Sequence, residues 1–119
     1  MKLLIECIVS VLISSTSYKT TFLQTGKASY YANKFNGRTT TSGEIFSQDY
    51  LTAAHKTLKL GTLVKVTNLS NDSTVIVKIN DRLGKSKHTI DLSLKAAKQL
   101  NFIRSGNTKV KIESIEPTN

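Results

Sequence analysis

Residues 62–80 read Thr-Leu-Val-Lys-Val-Thr-Asn-Leu-Ser-Asn-Asp-Ser-Thr-Val-Ile-Val-Lys-Ile-Asn, and this stretch decides the fold. Val64 and Val66 flank Lys65, while Val75, Val77 and Ile79 alternate with Ile76 and Lys78. A period of two sends alternate side chains to opposite faces of a strand. Two strands are therefore expected, Thr62–Leu69 and Ser73–Asn80. Ser70-Asn71-Asp72 joins them as a hairpin, since Asn and Asp accept tight turn backbone.

Upstream, Leu51-Thr52-Ala53-Ala54-His55 reads as a short extended segment. Asn36-Gly37 and Ser42-Gly43 are turn signals with Arg38-Thr39-Thr40-Thr41 between them. Lys27–Ala32 is a first strand. Downstream, Thr89–Leu92 is a short strand, and Ser93 caps a helix expected over Leu94–Asn101, with Leu94, Ala97 and Leu100 as its apolar face. Lys109–Ile115 closes the pattern as an amphipathic strand. Five or six short strands with one or two short helices predict a mainly β chain folded as a small closed β-barrel.

The chain has 119 residues, room for one domain. Lys2 followed by the mostly apolar Leu3–Ile13 and the small polar Ser14–Ser17 reads as a secretory signal peptide over residues 1–17. That apolar run is too short for an integral membrane span, which takes roughly 20 residues. Cys7 sits early and behind Glu6, which argues against a lipid anchor. Residues 18–25 are expected to be a linker, 26–115 the folded domain, and 116–119 a tail. The single Cys excludes an internal disulfide and any multi-cysteine metal site.

The charge is +9, from 17 basic residues against only eight acids. A basic surface attracts polyanions. The lysines are dispersed and no groove-reading element accompanies them, so nucleic acid is not expected as a partner. The few acids make acid-base chemistry easy to apportion. Glu6 lies in the leader, Asp72 in the hairpin turn, Glu113 and Glu116 in the last strand and tail, and Asp49 in a polar loop. Glu44, Asp81 and Asp91 remain. Glu44 follows a Ser-Gly turn and precedes Ile45-Phe46, a setting that can raise a carboxyl pKa as a general acid needs; an exposed loop charge would look the same. Asp81 ends the strongest strand, where a site or an Asp81–Arg82 ion pair would both fit. Asp91 precedes the Ser93 cap, which points to a capping or orienting role. His55 and His88 are lone histidines, in the Ala-Ala-His segment and in a basic loop. With no ligand spacing, no phosphate-binding glycine loop and no Ser or Cys nucleophile motif, neither a metal nor a cofactor is expected.

Taken in order, six stretches resemble one family. They are Gly26-Lys-Ala-Ser-Tyr-Tyr-Ala, Phe35-Asn-Gly-Arg-Thr-Thr-Thr-Ser-Gly-Glu-Ile-Phe, Leu51-Thr-Ala-Ala-His-Lys-Thr-Leu-Lys-Leu-Gly-Thr, Val64-Lys-Val-Thr-Asn-Leu, Val77-Lys-Ile-Asn-Asp-Arg and Ile90-Asp-Leu-Ser-Leu-Lys-Ala-Ala. The chain is similar to the rare lipoprotein A family of bacterial envelope proteins. The resemblance implies a six-stranded double-psi β-barrel related to the expansins, exported to the periplasm or cell envelope. It implies endolytic lytic transglycosylase activity on peptidoglycan glycan strands that lack stem peptides, leaving 1,6-anhydroMurNAc ends.

The family's functional positions fall on Glu44, His55 and Asp81, and Asp91 matches its Asp-Leu-Ser. Asp81 is the expected general acid/base, Asp91 the runner-up, with Glu44 and His55 stabilising charge and orienting the sugar. Tyr30, Tyr31, Asn80 and Arg82 are the expected substrate contacts, the tyrosines through their ring faces. The alternative is a non-catalytic, expansin-like wall-binding module using the same groove. The chain departs from the family in three ways. Leu83-Gly84 replaces Gly-Pro after Asn-Asp-Arg, Ser47 stands where an acid is common, and no SPOR domain is recognisable in these residues.

Overall fold

In the computed structural model, which describes residues 17–117, the chain closes as a six-stranded barrel. The strands are β1 (Tyr18–Tyr30), β2 (Thr52–His55), β3 (Leu63–Asn68), β4 (Thr74–Arg82), β5 (Ile90–Leu92) and β6 (Thr108–Pro117). A 3₁₀ turn spans Asn33–Phe35, and the helix α1 spans Leu94–Gln99. The order around the barrel is β1-β5-β2-β4-β3-β6. β1 runs parallel to β5 and β2 parallel to β4, and the other four pairings are antiparallel. The expected signal peptide, residues 1–17, lies outside the described residues apart from Ser17.

The hairpin at residues 62–80 forms with Val64 opposite Val77 and Val66 opposite Val75. All four point inward, where Ile79, Ile90, Leu92, Val110 and Ile112 join them. Burying each such side chain contributes about 1.5–3 kcal/mol, so this alternation is the main source of the fold's stability. α1 packs on the barrel through Ala96, Ala97 and Leu100; Leu94 is only half-buried. The Ser93 side chain accepts from the Ala96 N–H, the cap read from sequence. The helix ends two residues before Asn101, because Asn101 takes a left-handed φ of 57°. Its N–H then bonds to Lys98 O, and the Phe102 N–H to Ala97 O, the Schellman arrangement that closes a helix.

The largest correction is at the amino end. Residues 18–25 are no linker: they are the first half of β1, paired antiparallel with β6 from Lys19 opposite Glu116 to Thr25 opposite Lys111. Phe22 and Gln24 turn inward by half, and the β-branched threonines suit an extended backbone. Glu116 and Pro117, expected in a tail, complete β6. Gly26, midway along β1, lets Thr89 approach; a Cβ there would lie 2.7 Å from Thr89 Cβ.

Candidate functional site

The register of β2 against β4 sets up the site. Thr52 faces Lys78 and Ala53 faces Ile79, but Ala54 then faces Asp81 and His55 faces Arg82. Asn80 is the extra residue of a β-bulge. Strict alternation from Val75, Val77 and Ile79 would send Asp81 into the core; the bulge turns it outward onto the face that carries Ala54. Asn80 and Asp81, consecutive in the chain, thus both line outer grooves.

The Asp81 groove has a volume of about 280 Å³ and is walled by Tyr30, Tyr31, Phe35, Ala54, Arg82, Leu83 and Asp91. Four donors hold the Asp81 carboxylate. Oδ2 accepts from the Tyr31 hydroxyl at 2.6 Å, and Oδ1 accepts from the Thr41 N–H at 2.9 Å, the Thr41 hydroxyl at 2.8 Å and the Arg82 N–H at 2.9 Å. Partial burial pushes its pKa up, but these bonds to the charged form outweigh burial and hold it below the ordinary value. Tyr31 is shifted the opposite way. Burial, its bond to Asp81 and the charges of Asp81 and Asp91 all push its hydroxyl pKa up, so it remains a donor. Its ring stacks on Phe46 at 4.1 Å between centroids, which fixes the hydroxyl in place.

Asp91 sits on β5, opposite Ser29 on β1 and Ala54 on β2. The Ser29 hydroxyl donates to its Oδ1. Asp91 does not cap α1: Ser93 does so, together with Gln48, whose Oε1 accepts from the Leu94 N–H at 2.8 Å.

Glu44 stands apart from this pair. It lines a neighbouring groove of about 550 Å³ with Ile45, Tyr50, Leu51, Thr52, Lys78 and Asn80. Its Oε2 accepts from Lys78 Nζ at 2.6 Å. The Lys78 hydrogen bond lowers its pKa most; burial pushes the other way, and Ser42, the Lys78 charge and Asn80 add to the lowering. The raised value expected beside Ile45 and Phe46 is therefore corrected: Phe46 is buried against Tyr31, and the Glu44 carboxylate faces a cation and solvent. The turn that holds Glu44 also serves Asp81. Gly43, with φ 91°, lets its N–H reach Thr40 O, while Ser42 N–H bonds to Asn80 O and Thr41 clamps Asp81.

His55 is 1% exposed. Its Nδ1 accepts the N–H groups of Thr57 and Leu58, both at 3.1 Å, so its Nε2 carries the proton and donates to Gln24 Oε1 at 2.8 Å. Phe22 meets the ring edge-on at 5.8 Å. Burial, and then the Arg82 and Lys56 charges, lower its pKa, so it is neutral. Both nitrogens are occupied and the ring lies outside the groove that Ala54 shares with Asp81. Among the other expected contacts, the Tyr30 hydroxyl is tied to Ile103 O at 3.0 Å, and Arg82 reaches back to His55 O at 3.3 Å. Thr41, Ser29, Lys78, Thr52, Tyr50 and Gln24 were not foreseen. Lys78 alone had a legible signal, its place on the outer face of β4.

The chain matches the model of the lytic transglycolase family over residues 23–112. It is 49% identical over 94 residues to the endolytic peptidoglycan transglycosylase RlpA of Pseudomonas aeruginosa, covering 77% of this chain and 27% of that protein. It is 46% identical over 97 residues to the protein of the same name from Neisseria meningitidis, covering 81% and 41%. The probable counterpart in Treponema pallidum is 50% identical over 93 residues, covering 77% and 29%. The chain thus spans less than half the length of these relatives. Among solved structures, a Streptomyces papain inhibitor superposes with a TM-score of 0.67 at 20% identity, covering 82% of this chain and 97% of the other. An expansin of Clavibacter michiganensis does so at 0.64 and 19%, covering 82% and 52%. The fold is the expected double-psi barrel.

Proposed function

Since the chain belongs to the lytic transglycolase family, we propose that it is an endolytic peptidoglycan transglycosylase, cutting the MurNAc–GlcNAc β-1,4 bond of glycan strands that lack stem peptides. The observation that carries this reading is Asp81, an ionised carboxylate held by four donors in an open groove, with Asp91 in the same groove.

Lytic cleavage needs no water at the bond. The C6 hydroxyl of MurNAc attacks its own C1, the C1–O4 bond breaks, and a 1,6-anhydro ring forms. Asp81 takes the proton of the C6 hydroxyl, and its charge offsets the positive charge that develops at C1. The proton taken from the C6 hydroxyl passes from Asp81 to the leaving O4, which returns Asp81 to its ionised form. Asp91, whose Oδ1 accepts from the Ser29 hydroxyl, lines the same groove and orients the strand there. Tyr31, Thr41 and the Arg82 N–H fix the position of Asp81. Glu44, kept ionised by Lys78, contacts sugar hydroxyls. His55 is a positioning residue: it locks residues 55–58 and the end of β2 beside β4. The reading places the protein in the bacterial envelope, reached through the leader read at residues 1–17.

The test is product chemistry. Purified protein is incubated with peptide-stripped glycan strands, and the ends are analysed by mass spectrometry. Release of 1,6-anhydroMurNAc, abolished in Asp81→Asn and sharply reduced in Asp91→Asn, is the expected result. Strand binding without any anhydro product would replace the enzyme with a wall-binding module.

A further inference from the structure

Gln48 lines neither groove, yet its side-chain amide is fully occupied. Nε2 donates to Tyr31 O at 2.9 Å and to Asn33 Oδ1 at 3.1 Å, and Oε1 accepts from the Leu94 N–H at 2.8 Å. These partners fix which end of the amide is which, since a carbonyl only accepts and a backbone N–H only donates. The backbone of the same residue adds two bonds. Its N–H donates to Asn36 Oδ1 at 2.9 Å, and its carbonyl accepts from the Lys95 N–H at 3.1 Å. One residue thus joins two stretches distant in sequence, residues 31–36 and the start of α1. The first stretch has little else to hold it: its 3₁₀ turn, Asn33–Phe35, buries no residue. Even so, Tyr31 and Phe35 wall the Asp81 groove, which Asp91 of β5 lines as well. Leu94 follows the end of β5 by two residues, so the amide sets the spacing between these walls.

From this network we propose that Gln48 is a positioning residue of the cleavage site, acting through Tyr31: its amide holds the Tyr31 carbonyl against the start of α1 and so aims the Tyr31 hydroxyl at Asp81 Oδ2. The proposal rests on the reading of Asp81 as the cleavage centre, and adds to it a residue from outside the groove. Tyr31 is gripped on both sides of its backbone, by Gln48 at the carbonyl and by Leu92 O, which accepts its N–H at 2.9 Å. The Phe46 stack sets the plane of the Tyr31 ring, and the backbone grip sets how far along that plane the hydroxyl reaches. The Tyr31–Asp81 bond is 2.6 Å long, and a retreat of the 31–36 stretch by about 1 Å would carry it out of hydrogen-bond range. Asp81 would then keep three donors, all from Thr41 and Arg82. The competing account gives Gln48 only the capping of α1.

The two accounts separate in the titration of Asp81, followed by the NMR shift of its carboxyl carbon against pH in the full chain without substrate. Gln48→Met keeps an unbranched side chain of similar length and removes the amide donors and acceptor. Its Asp81 midpoint should rise by up to about one pH unit, the worth of a hydrogen bond to a charged group. Tyr31→Phe should raise the midpoint at least as far, and the double variant no further than Tyr31→Phe alone, because the two act on one bond. The acidic limb of kcat should move with the midpoint while KM stays nearly constant. Ser93→Ala, which loosens the start of α1 and leaves the Gln48 amide in place, should not move it. Gln48→Asn, too short to span Tyr31 O and the Leu94 N–H together, serves if the Met variant does not fold, and should shift the midpoint the same way. An unchanged midpoint in a folded Gln48 variant overturns the proposal. So does an equal rise in Ser93→Ala, or a Gln48 effect that adds in full to that of Tyr31→Phe. Failure to release anhydro ends from glycan strands would instead count against the activity, since the titration needs no turnover.

Discussion

At the scale of single residues, the site is defined by who donates to Asp81. Tyr31 is one of four donors, and its hydrogen bond lowers the pKa of Asp81. Because the ionised form is the working form, activity should persist down to a pH below the ordinary carboxylate range and fall as Asp81 takes up a proton. Tyr31→Phe should move that acidic limb of kcat/KM to higher pH and cost about tenfold at neutral pH, the worth of one hydrogen bond to a charged group. A limb that does not move would remove Tyr31 from the account. His55 makes a prediction of the other kind. Its pKa is lowered in the folded protein, so the unfolded chain binds the proton more readily. The stability it protects is complete above the ordinary histidine value of about 6.5 and is lost as pH falls below it, at a slope of up to about 1.4 kcal/mol per pH unit. Urea midpoints measured at pH 7.5 and pH 5 should show the loss in the wild type and a flatter response in His55→Gln. The carboxylate Asp81, lowered from near 4, contributes its own loss only at more acid pH, outside this interval.

Among the elements, the alternation of valines read correctly as a hairpin and predicted which face is core, because hydrophobic period survives in sequence. The bulge did not read. Nothing in Ile79-Asn80-Asp81 announces that one residue is skipped, since the skip is dictated by β2 on the partner side. Glu44 and Asp81 were both found as candidates, yet their division between two grooves depends on how the residue 40–44 turn folds over β4. The first half of β1 reads as a linker in sequence because a ribbon edge needs no strong apolar alternation when its partner, β6, is distant in sequence. Its contribution to stability is measurable. A chain begun at Gly26 loses the pairing of residues 18–25 with β6 and the Gln24 acceptor of His55. It should melt at least about 5 °C lower than one begun at Ser17, equivalent to roughly 1 kcal/mol in a domain of this size. Equal melting temperatures would mean the ribbon is ornamental.

Across the whole molecule, the charge of +9 selects no reaction, but under the proposed activity it bears on how a glycan strand arrives. Glycan strands carry the lactyl carboxylate of each MurNAc, and opposite charge accelerates encounter while salt screens it. Raising ionic strength from 0.05 to about 0.5 M should therefore raise KM severalfold and leave kcat nearly unchanged. A fall in kcat with constant KM would show that the lysines act in the chemical step. The same view gives a consequence of the β1–β6 ribbon. Tyr18 lies opposite Pro117 at its far end, so the two ends of the barrel meet. As a shape, residues 17–117 form nearly a ring. A circular permutant with residues 17 and 117 bridged by a short Gly/Ser linker, and new ends between the exposed Arg104 and Ser105, should fold to the same barrel and cleave the same strands. Wild-type amide NMR shifts around Asp81 in that permutant would show that closure around the circumference, not the direction of reading, assembles the site.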